Sequence, residues 1–240
     1  MARDRIPLLL LPGLLCDGEL FAPQVSGLAG VADARVADLT AHDTMSGLAA
    51  DALARAPWPR FALAGLSMGG YVAYEILRQA PDRVLGLALI DTSARPDTPE
   101  STANRRRLMA LAERDFPAVA ETLLPKLLAP VHAADARLAA VVRDMADRVG
   151  AVAFARQQLA IIGRPDSRPG LAAIGCPTIV VAGRDDALMP HEVHDEQAAA
   201  IPGADLAILG DCGHLASIEQ PDRVNAALGG WLARVGSGSG

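Results

Sequence analysis

Short apolar runs and amphipathic stretches alternate along most of the chain. Apolar runs of strand length occur near 6–11, 34–39, 60–66, 84–91, 177–183 and 205–210. Stretches with apolar residues at helical spacing lie near 19–29, 45–56, 68–80, 191–200 and 220–234. Such alternation is typical of a parallel sheet that has helices packed on both faces. The pattern therefore predicts an α/β fold with a mostly parallel sheet of about six strands.

Residues 95–170 break this alternation, because they contain no strand-like run. Amphipathic stretches occupy 100–113, 115–128, 133–148 and 150–162. Since α/β sheets bind ligands outside the carboxyl ends of their strands, a helical insertion here would lie over that edge. We therefore interpret 95–170 as a mobile helical cap that governs substrate choice rather than chemistry. Residues 1–94 and 171–235 form the predicted core domain, and 236–240 a predicted flexible tail or linker.

Composition and charge narrow the class of protein. With 240 residues, of which 51% are hydrophobic and 21% charged, the chain is sufficient for one globular domain with a large core. The net charge of −6 disfavours nucleic acid or an anionic membrane surface as a partner. No apolar run reaches the roughly 18 residues that a membrane helix needs, so we expect no membrane span. A monomer and a homodimer are both compatible with these properties.

The amino-terminal segment imitates a signal peptide, but two features argue against that interpretation. Asp4 interrupts the positive charges, and Leu15 is too large for the residue before a cleavage site. The three cysteines, Cys16, Cys176 and Cys212, are odd in number and lack the spacing of metal ligands. They are interpreted as small buried side chains in a reducing compartment, so we expect a cytoplasmic protein.

A glycine-flanked serine lies between a predicted strand and a predicted helix, in Gly65-Leu66-Ser67-Met68-Gly69. A serine on such a sharp turn exposes its hydroxyl above the sheet, and the helix behind it directs free N–H groups towards the atom attacked. The hydroxyl needs a base to remove its proton and an acid to orient that base. Acidic residues and a histidine come later, each after its own predicted strand, in Arg184-Asp185-Asp186 and in Gly210-Asp211-Cys212-Gly213-His214.

These segments together resemble the α/β-hydrolase family, and the resemblance covers nearly the whole chain. Gly65–Gly69 is similar to the nucleophile elbow of that family, Gly183–Pro190 to its acid loop and Gly213-His214-Leu215 to its histidine loop. Leu11–Leu15 stands where relatives carry the oxyanion loop, with Pro12-Gly13 in place of the commonest His-Gly. Four matches in the expected order are far more specific than any one of them.

The resemblance implies a catalytic triad in which Ser67 is the nucleophile, His214 the base and Asp186 the acid. The acid lies three residues after Gly183 in the family pattern, which favours Asp186. The adjacent Asp185 is kept as an alternative, as is Asp91 at the end of the fourth predicted strand. The acid holds the imidazole in the correct tautomer and stabilises its charged form.

The resemblance also implies an oxyanion hole, which needs two backbone N–H groups. Met68 supplies one, and either Leu14 or Leu15 supplies the other. The pocket is expected to be apolar, with side chains from the cap and the loops facing Ser67. The candidates are Phe116, Leu127, Phe154, Met189 and Leu215.

Several polar residues have structural interpretations beside functional ones. Arg105-Arg106-Arg107 could clamp an anion, but a solvated helix face is expected. Asp17 is expected to cap the first helix. His132 lies in the cap and could contact substrate, and Asp166-Ser167-Arg168 is interpreted as a hinge or a salt-bridged turn.

The sequence therefore predicts a serine hydrolase, similar to carboxylesterases, that cleaves carboxylic esters of small to medium apolar molecules. Aromatic residues make up only 3% of the chain, which favours an aliphatic pocket. The chemistry requires no metal and no cofactor. The same triad also supports C–C bond hydrolases, thioesterases and lyases in this family, and a scaffold does not fix its reaction. A catalytically silent homologue that only binds a ligand is the alternative from another class.

Overall fold

The computed structural model describes residues 5–237, and residues 1–4 and 238–240 lie outside the description. The strands within it are β1 Ile6–Leu11, β2 Ala32–Val36, β3 Phe61–Leu66, β4 Val84–Ile90, β5 Thr178–Gly183 and β6 Asp205–Leu209. They form one sheet in the order β2-β1-β3-β4-β5-β6, and every pairing is parallel. The predicted fold class, a parallel sheet of about six strands flanked by helices, is confirmed.

The α-helices in the described part of the chain include helices on both faces of the sheet and the helices of residues 95–170. They are α1 Ala22–Gly27, α2 Met45–Arg55, α3 Met68–Gln79, α4 Pro99–Ala112, α5 Pro117–Leu127, α6 Ala136–Ile162, α7 His191–Ala200, α8 Ala216–Glu219 and α9 Pro221–Ser237. None of them combines the length and the apolar character that crossing a bilayer requires.

The core lies in two apolar layers, one on each side of the sheet. On one side α9 packs through Leu228 and Trp231, and on the other α2 and α3 pack through Leu48 and Val72. Successive leucines of β1 enter the two layers alternately, because neighbouring side chains of a strand point to opposite faces. β3 is buried along its whole length, as expected for a parallel strand that is covered on both faces.

The order of the strands opens a crevice above β1 and β3. From β1 the chain runs to β2 at the edge of the sheet and then crosses back to β3 on the other side of β1. The connections that leave the carboxyl ends of β1 and β3 therefore diverge, and ligands bind at such a switch point. The predicted oxyanion loop follows β1 and Ser67 follows β3.

The second strand differs from its predicted position at 34–39. Its pairing with β1 ends at Val36, which lies opposite Leu10. Leu39 is buried beyond the end of the strand, and its carbonyl accepts a hydrogen bond from Gln157 of α6. The apolar pattern included Leu39 because the residue is buried in the core layer beside β1, although it does not belong to a strand.

The two ends of the core also differ from prediction. The helix predicted near 19–29 is a 3₁₀ turn over Gly18–Phe21 followed by the short α1. At the other end, Gly236 and Ser237 belong to α9 rather than to a tail. The remainder of the predicted tail, 238–240, lies outside the described residues.

Residues 95–170, which we call the cap, contain α4, α5 and α6 and no strand. α6 bends at Gly150, where φ is +77° and ψ is 165°. The bend lies at the predicted boundary between two helical stretches. The cap has an apolar cluster of its own, to which the core contributes one buried side chain, Leu15. The other buried members are Leu108, Val119, Ala120, Ala146 and Phe154.

Candidate active site

Ser67 occupies a strained turn between β3 and α3. Its φ of +54° lies in the left-handed region, which is uncommon for a residue with a side chain. Two hydrogen bonds hold the turn: the Ser67 N–H donates to the carbonyl of Ile90 at 3.0 Å, and the Thr92 hydroxyl donates to the Ser67 carbonyl at 2.7 Å. The sheet therefore maintains a conformation that exposes the serine hydroxyl above the strand ends.

The glycines on either side of this turn are required by close backbone approaches. A Cβ on Gly65 would collide with the backbone of Gly69, and a Cβ on Gly69 would collide with the carbonyl of Leu11 in β1. Both obstacles are backbone atoms that cannot rotate away. The sharp turn from β3 into α3 therefore depends on residues without side chains, as the motif predicted.

His214 and Asp186 form a chain of hydrogen bonds that ends at Ser67. The His214 Nε2 lies 2.8 Å from the Ser67 Oγ, and its Nδ1 lies 2.7 Å from the Asp186 Oδ2. The other carboxylate oxygen of Asp186 accepts the N–H groups of Leu188 and Met189 at 2.7 and 3.0 Å. These two bonds fix the carboxylate in its loop, so that it can orient the imidazole.

The surroundings of His214 favour its charged form. Burial alone would lower the pKa of His214, but the charge and the hydrogen bond of Asp186, with the charges of Asp91 and Glu219, raise it above its usual value. The backbone N–H of His214 donates to the carbonyl of Leu127 at the end of α5. The histidine is thus held by the acid loop on one side and by the cap on the other.

The two alternative acids lie in different positions. Asp185 follows the same strand but is exposed to solvent. Asp91 is fully buried with φ of +45°, and its carboxylate accepts the N–H groups of Gly183 and Ala216. Burial, followed by the nearby charge of Asp186, raises the pKa of Asp91 well above its usual range. Among the three carboxylates, Asp186 makes the hydrogen bond to His214.

The candidate oxyanion loop is contacted by the cap. The Leu15 N–H donates to the Gln157 Oε1 of α6 at 3.0 Å, and the Gln157 amide donates in turn to the carbonyl of Leu39. The Leu15 N–H is therefore already engaged. Leu14 and Met68 remain the candidate donors. Met68 is the first residue of α3, where the N–H groups have no partner within the helix.

A cavity of about 190 Å³ lies between these loops and the cap. Ser67 and His214 line it, as do three of the five predicted pocket residues, Leu127, Met189 and Leu215. Cap side chains that were not named as predicted pocket residues complete the apolar wall. They include Leu108, Ala120, Leu123, Val142, Met145, Ala146 and Ile161.

The other two predicted pocket residues, Phe116 and Phe154, do not line this cavity. Their rings pack against each other inside the cap, with centroids 6.1 Å apart and planes tilted by 57°. Phe154 is fully buried. Their helical spacing correctly indicated burial, but the neighbour that buries them is the cap itself rather than the substrate cavity.

Comparison with known proteins assigns the family. The order of strand-end serine, acid and histidine along the chain is that of the α/β-hydrolase scaffold. A family model described as "Alpha/beta hydrolase family" matches residues 6–227. The chain belongs to the α/β-hydrolase family. Its predicted identity as a member of this family is therefore confirmed, and it is a hydrolase.

Solved structures with high similarity to this hydrolase include an esterase and a lactonase. A thermophilic esterase from Thermogutta terrifontis, solved with malate bound, has a TM-score of 0.86 and 33% identity, covering 96% of this chain and 90% of that chain. The enol-lactonase from Burkholderia xenovorans LB400 also has a TM-score of 0.86, with 25% identity over 96% of this chain and 92% of that one.

The names of other relatives refer to a third kind of bond. The protein named "Putative carbamate hydrolase RutD" from Klebsiella pneumoniae subsp. pneumoniae is 28% identical over 192 residues, which are 77% of this chain and 70% of that protein. A second protein of that name, from Serratia proteamaculans, is matched over 30% of its length. The relatives of this hydrolase thus carry names that refer to esters, lactones and carbamates.

A second histidine of the hydrolase lies beside the carboxylates, and the sequence analysis did not identify it. One potential ligand atom from each of Asp91, Asp186 and His194 lies within 4.8 Å of the others. His194 is buried, and burial lowers its pKa. These three groups could hold a metal ion, although Asp186 is already bonded to His214. No local motif distinguishes His194, because it lies in the middle of α7.

The other polar residues that were considered in the sequence differ in their positions relative to the cavity. Arg106 and Arg107 are exposed as expected, whereas Arg105 lines the cavity, so a solvated face was the wrong interpretation for that residue. Asp17 accepts the N–H of Glu19 and caps the turn. His132 lies 2.9 Å from the buried carboxylate of Glu219 and does not line the cavity.

Two of the cysteines lie beside the site. Cys16 lines the cavity of the hydrolase, and burial raises the pKa of its thiol to about 12. Burial also raises the pKa of the Cys212 thiol. A nucleophilic thiolate is therefore disfavoured at both positions. Asp166 pairs with Arg168, which fits the predicted salt-bridged turn.

Proposed function

We propose that this hydrolase is a serine esterase that cleaves carboxylic esters of small to medium apolar molecules. The observation that carries the proposal is the chain of hydrogen bonds from Ser67 through His214 to Asp186, placed at the floor of the cavity. A serine with a base in hydrogen-bond contact, and a base with an orienting carboxylate, is the arrangement that activates a hydroxyl nucleophile.

In the first half of the reaction Ser67 forms a bond to the ester carbonyl carbon. Its proton passes from Oγ to Nε2 of His214, which is neutral beforehand and donates its Nδ1–H to Asp186. The N–H groups of Met68 and Leu14 stabilise the negative charge that develops on the carbonyl oxygen. When the tetrahedral intermediate collapses, the C–O bond to the alcohol breaks, and the Nε2 proton moves to the departing oxygen.

The second half repeats these steps with water. His214 accepts a proton from water as the water oxygen bonds to the acyl carbon. Collapse of the second intermediate breaks the bond to Ser67, which recovers its proton and releases the carboxylic acid. Within this scheme Asp186 keeps its charge and stabilises the imidazolium form of His214.

The size and lining of the cavity support a small substrate. Its volume of about 190 Å³ lies below the roughly 300–1,000 Å³ typical of pockets for drug-sized ligands. Aliphatic side chains from the cap and from the strand-end loops together form most of the wall. We therefore expect short aliphatic esters to react faster than long or bulky ones.

Two further classes of function compete with this proposal. C–C bond hydrolysis, thioester hydrolysis, lactone or carbamate hydrolysis and lyase chemistry can use the same triad, because the fold does not fix the bond that is cleaved. A catalytically silent binding protein would retain the cavity and lack turnover. The intact hydrogen bonds from Ser67 to Asp186 favour an active enzyme.

Labelling with a fluorophosphonate, followed by a substrate panel, tests the proposal. The wild-type protein should be labelled, and Ser67→Ala should not be. A panel of short-chain esters, lactones, thioesters, carbamates and a C–C hydrolase substrate then compares kcat/KM between classes. Absence of labelling contradicts the serine mechanism, and a higher kcat/KM for another class contradicts the ester assignment.

The other sequence-based expectations remain predictions. They are a cytoplasmic location, a small molecule rather than a nucleic acid as partner, and a monomer or homodimer in solution. The division into a core of 1–94 and 171–235 and a cap of 95–170 also remains a proposal. Limited proteolysis and light scattering address the domain boundary and the oligomeric state.

A further inference from the structure

The cavity has one polar wall, which the proposed ester chemistry does not use. Apart from Ser67 and His214, aliphatic side chains line most of the space. The opposite polar set comes from the cap and from α3. It consists of Tyr71, Ser101, Asn104, Arg105 and Gln158.

Two groups in this wall are buried hydrogen-bond donors without a partner. Gln158 is fully buried, and its Oε1 accepts a hydrogen bond from the Arg105 Nη1 at 3.0 Å. Because arginine only donates, this contact fixes the amide orientation and leaves the Gln158 Nε2 facing elsewhere. Within residues 5–237, neither that Nε2 nor the hydroxyl of Tyr71 has a hydrogen-bond partner. Buried polar groups are ordinarily paired, so these two call for a ligand.

The guanidinium groups of Arg105 and Arg164 lie beside these donors, and the charge of Asp186 also acts on Tyr71. Asp97 accepts hydrogen bonds from Arg105 Nε at 3.2 Å and from Arg164 Nη1 at 2.9 Å. Two guanidinium groups therefore share one carboxylate, which leaves one positive charge in excess. The Arg164 guanidinium also lies 4.4 Å from the centroid of the Tyr71 ring. Burial raises the pKa of Tyr71, so its hydroxyl remains a neutral donor.

The neighbouring residues of the same helix behave differently. Arg106 and Arg107 are exposed, whereas Arg105 is partly buried and reaches the cavity. Arg105, Gln158 and Tyr71 all line the cavity. The guanidinium and the amide NH₂ can only donate hydrogen bonds, and the hydroxyl of Tyr71 can donate one. The complementary group is an anion with several acceptor oxygens, and a carboxylate matches this set.

We propose that Arg105, Gln158 and Tyr71 bind a carboxylate carried by the substrate, so that the preferred substrates are half-esters of short aliphatic dicarboxylic acids. This inference rests on the proposed esterase function. The apolar wall accommodates the methylene chain between the two ends, and the small cavity limits that chain to a few carbons. Arg105, Gln158 and Tyr71 set specificity, while the strand-end loops perform the reaction.

Kinetics with a matched pair of substrates test this subsite. Monomethyl adipate and methyl hexanoate have acyl chains of equal carbon number, and one ends in a carboxylate where the other ends in a methyl group. Proton release in a pH-stat measures both, and the wild type should have the higher kcat/KM for monomethyl adipate. Arg105→Met should lower the ratio of the two kcat/KM values roughly ten- to hundredfold, because a charged hydrogen bond is lost.

Further variants distinguish the effect of the Arg105 charge from the effect of side-chain packing. Arg105→Lys should recover part of the ratio, since it keeps the charge without the planar fork. Gln158→Leu should lower the ratio without removing a charge. Arg106→Met, on the exposed side of the same helix, is the matched control and should leave the ratio unchanged. An unchanged ratio in both Arg105→Met and Gln158→Leu overturns the subsite, as does a wild type that prefers methyl hexanoate.

A binding measurement distinguishes failure of the subsite from failure of the esterase proposal. Calorimetry on Ser67→Ala, which cannot form an acyl-enzyme, compares adipate with hexanoate. Tighter binding of adipate that is lost in Ser67→Ala/Arg105→Met supports the subsite even if no ester is hydrolysed. Equal binding of the two acids, together with turnover of neutral esters, retains the esterase and removes the subsite. Thermal unfolding of each variant identifies any that fail to fold.

Discussion

The strand-end loops and the cap both line the cavity, but different interactions hold them in place. In the loops, hydrogen bonds to backbone groups fix the site. The Ser67 N–H donates to the Ile90 carbonyl at the end of β4, and the Asp186 carboxylate accepts the N–H of Leu188 in its own loop. In the cap, directional contacts with the core come from side chains as well as from backbone groups. Gln157 reaches the oxyanion loop, and Arg148 pairs with Asp17.

The contacts of the cap do not fit a strict separation in which the core performs the chemistry and the cap only selects the substrate. The cap forms most of the apolar wall, which fits a role in substrate choice. The cap also touches both loops that flank the serine. The Leu127 carbonyl accepts the His214 N–H, and the carboxylate of Glu219 joins the N–H groups of Ala129 and Gly213. A cap that only selected substrates would not need these contacts.

The largest loss of activity is expected for a substitution in the core. Ser67→Ala should reduce ester turnover by a factor on the order of a thousand or more, because only binding and the oxyanion donors remain. The far-UV spectrum and thermal unfolding should stay close to wild type, since the Ser67 side chain packs little. Ser26→Ala, at an exposed position of α1, is the control. Retained activity in folded Ser67→Ala would remove the serine from the mechanism.

The acid loop gives the next largest effect. Asp186→Asn should lower kcat on the order of a hundredfold or more, because the amide can hold His214 in the wrong tautomer. Asp185→Asn changes an exposed neighbour in the same loop and should have little effect. Rates of both purified variants on one activated ester decide between them. A larger loss in Asp185→Asn would contradict the assignment of Asp186 as the acid.

Gln157 tests whether the cap takes part in the chemistry. Gln157→Met removes the acceptor for the Leu15 N–H and should lower kcat about tenfold, with little change in KM. Deleting one oxyanion donor costs roughly 10²–10³ in kcat, and displacing the loop should cost less. Labelling by a very small phosphonate should slow in parallel. Leu159→Met, exposed on the same helix, is the control. An unchanged kcat would restore the strict division between cap and core.

Substitutions of two buried cap residues distinguish a side chain that lines the cavity from one that packs inside the cap. Met145→Ala enlarges the cavity and should shift the kcat/KM ratio between long and short acyl esters up to about tenfold. Phe154→Ala should instead lower the free energy of unfolding by about 3–5 kcal/mol and alter the ratio less, because its ring packs inside the cap. Acyl-chain profiles and thermal unfolding of both variants check this, and the reverse pattern would contradict it.

The smallest effect concerns pH. His214 must be neutral to accept the serine proton, so its raised pKa predicts that kcat/KM falls on the acidic side. Glu219→Gln removes one negative charge that raises the pKa of His214 and should move this acidic limb to lower pH. Asp185→Asn, which leaves Glu219 in place, should not move it. A limb that moves to higher pH in Glu219→Gln would contradict the assigned electrostatics.

Local rules explain why the sequence alone determined so much of the core. Buried parallel strands appear as continuous apolar runs, and a glycine-flanked serine between strand and helix indicates a sharp turn. Five of the six strands were predicted within two residues of their observed ends. The sequence also singled out Ser67, Asp186 and His214, which the structure brings into one chain of hydrogen bonds.

Tertiary structure decided which buried residue faces which neighbour. Helical spacing marks Phe154 and Met145 as buried in the same way, yet one lies inside the cap and the other lines the cavity. Gln157 and Gln158 are adjacent polar residues, and only the docking of α6 directs one to the oxyanion loop and the other to Arg105. The helical spacing of apolar residues predicts that a side chain is buried. The neighbour against which that side chain packs depends on how distant segments of the chain come together.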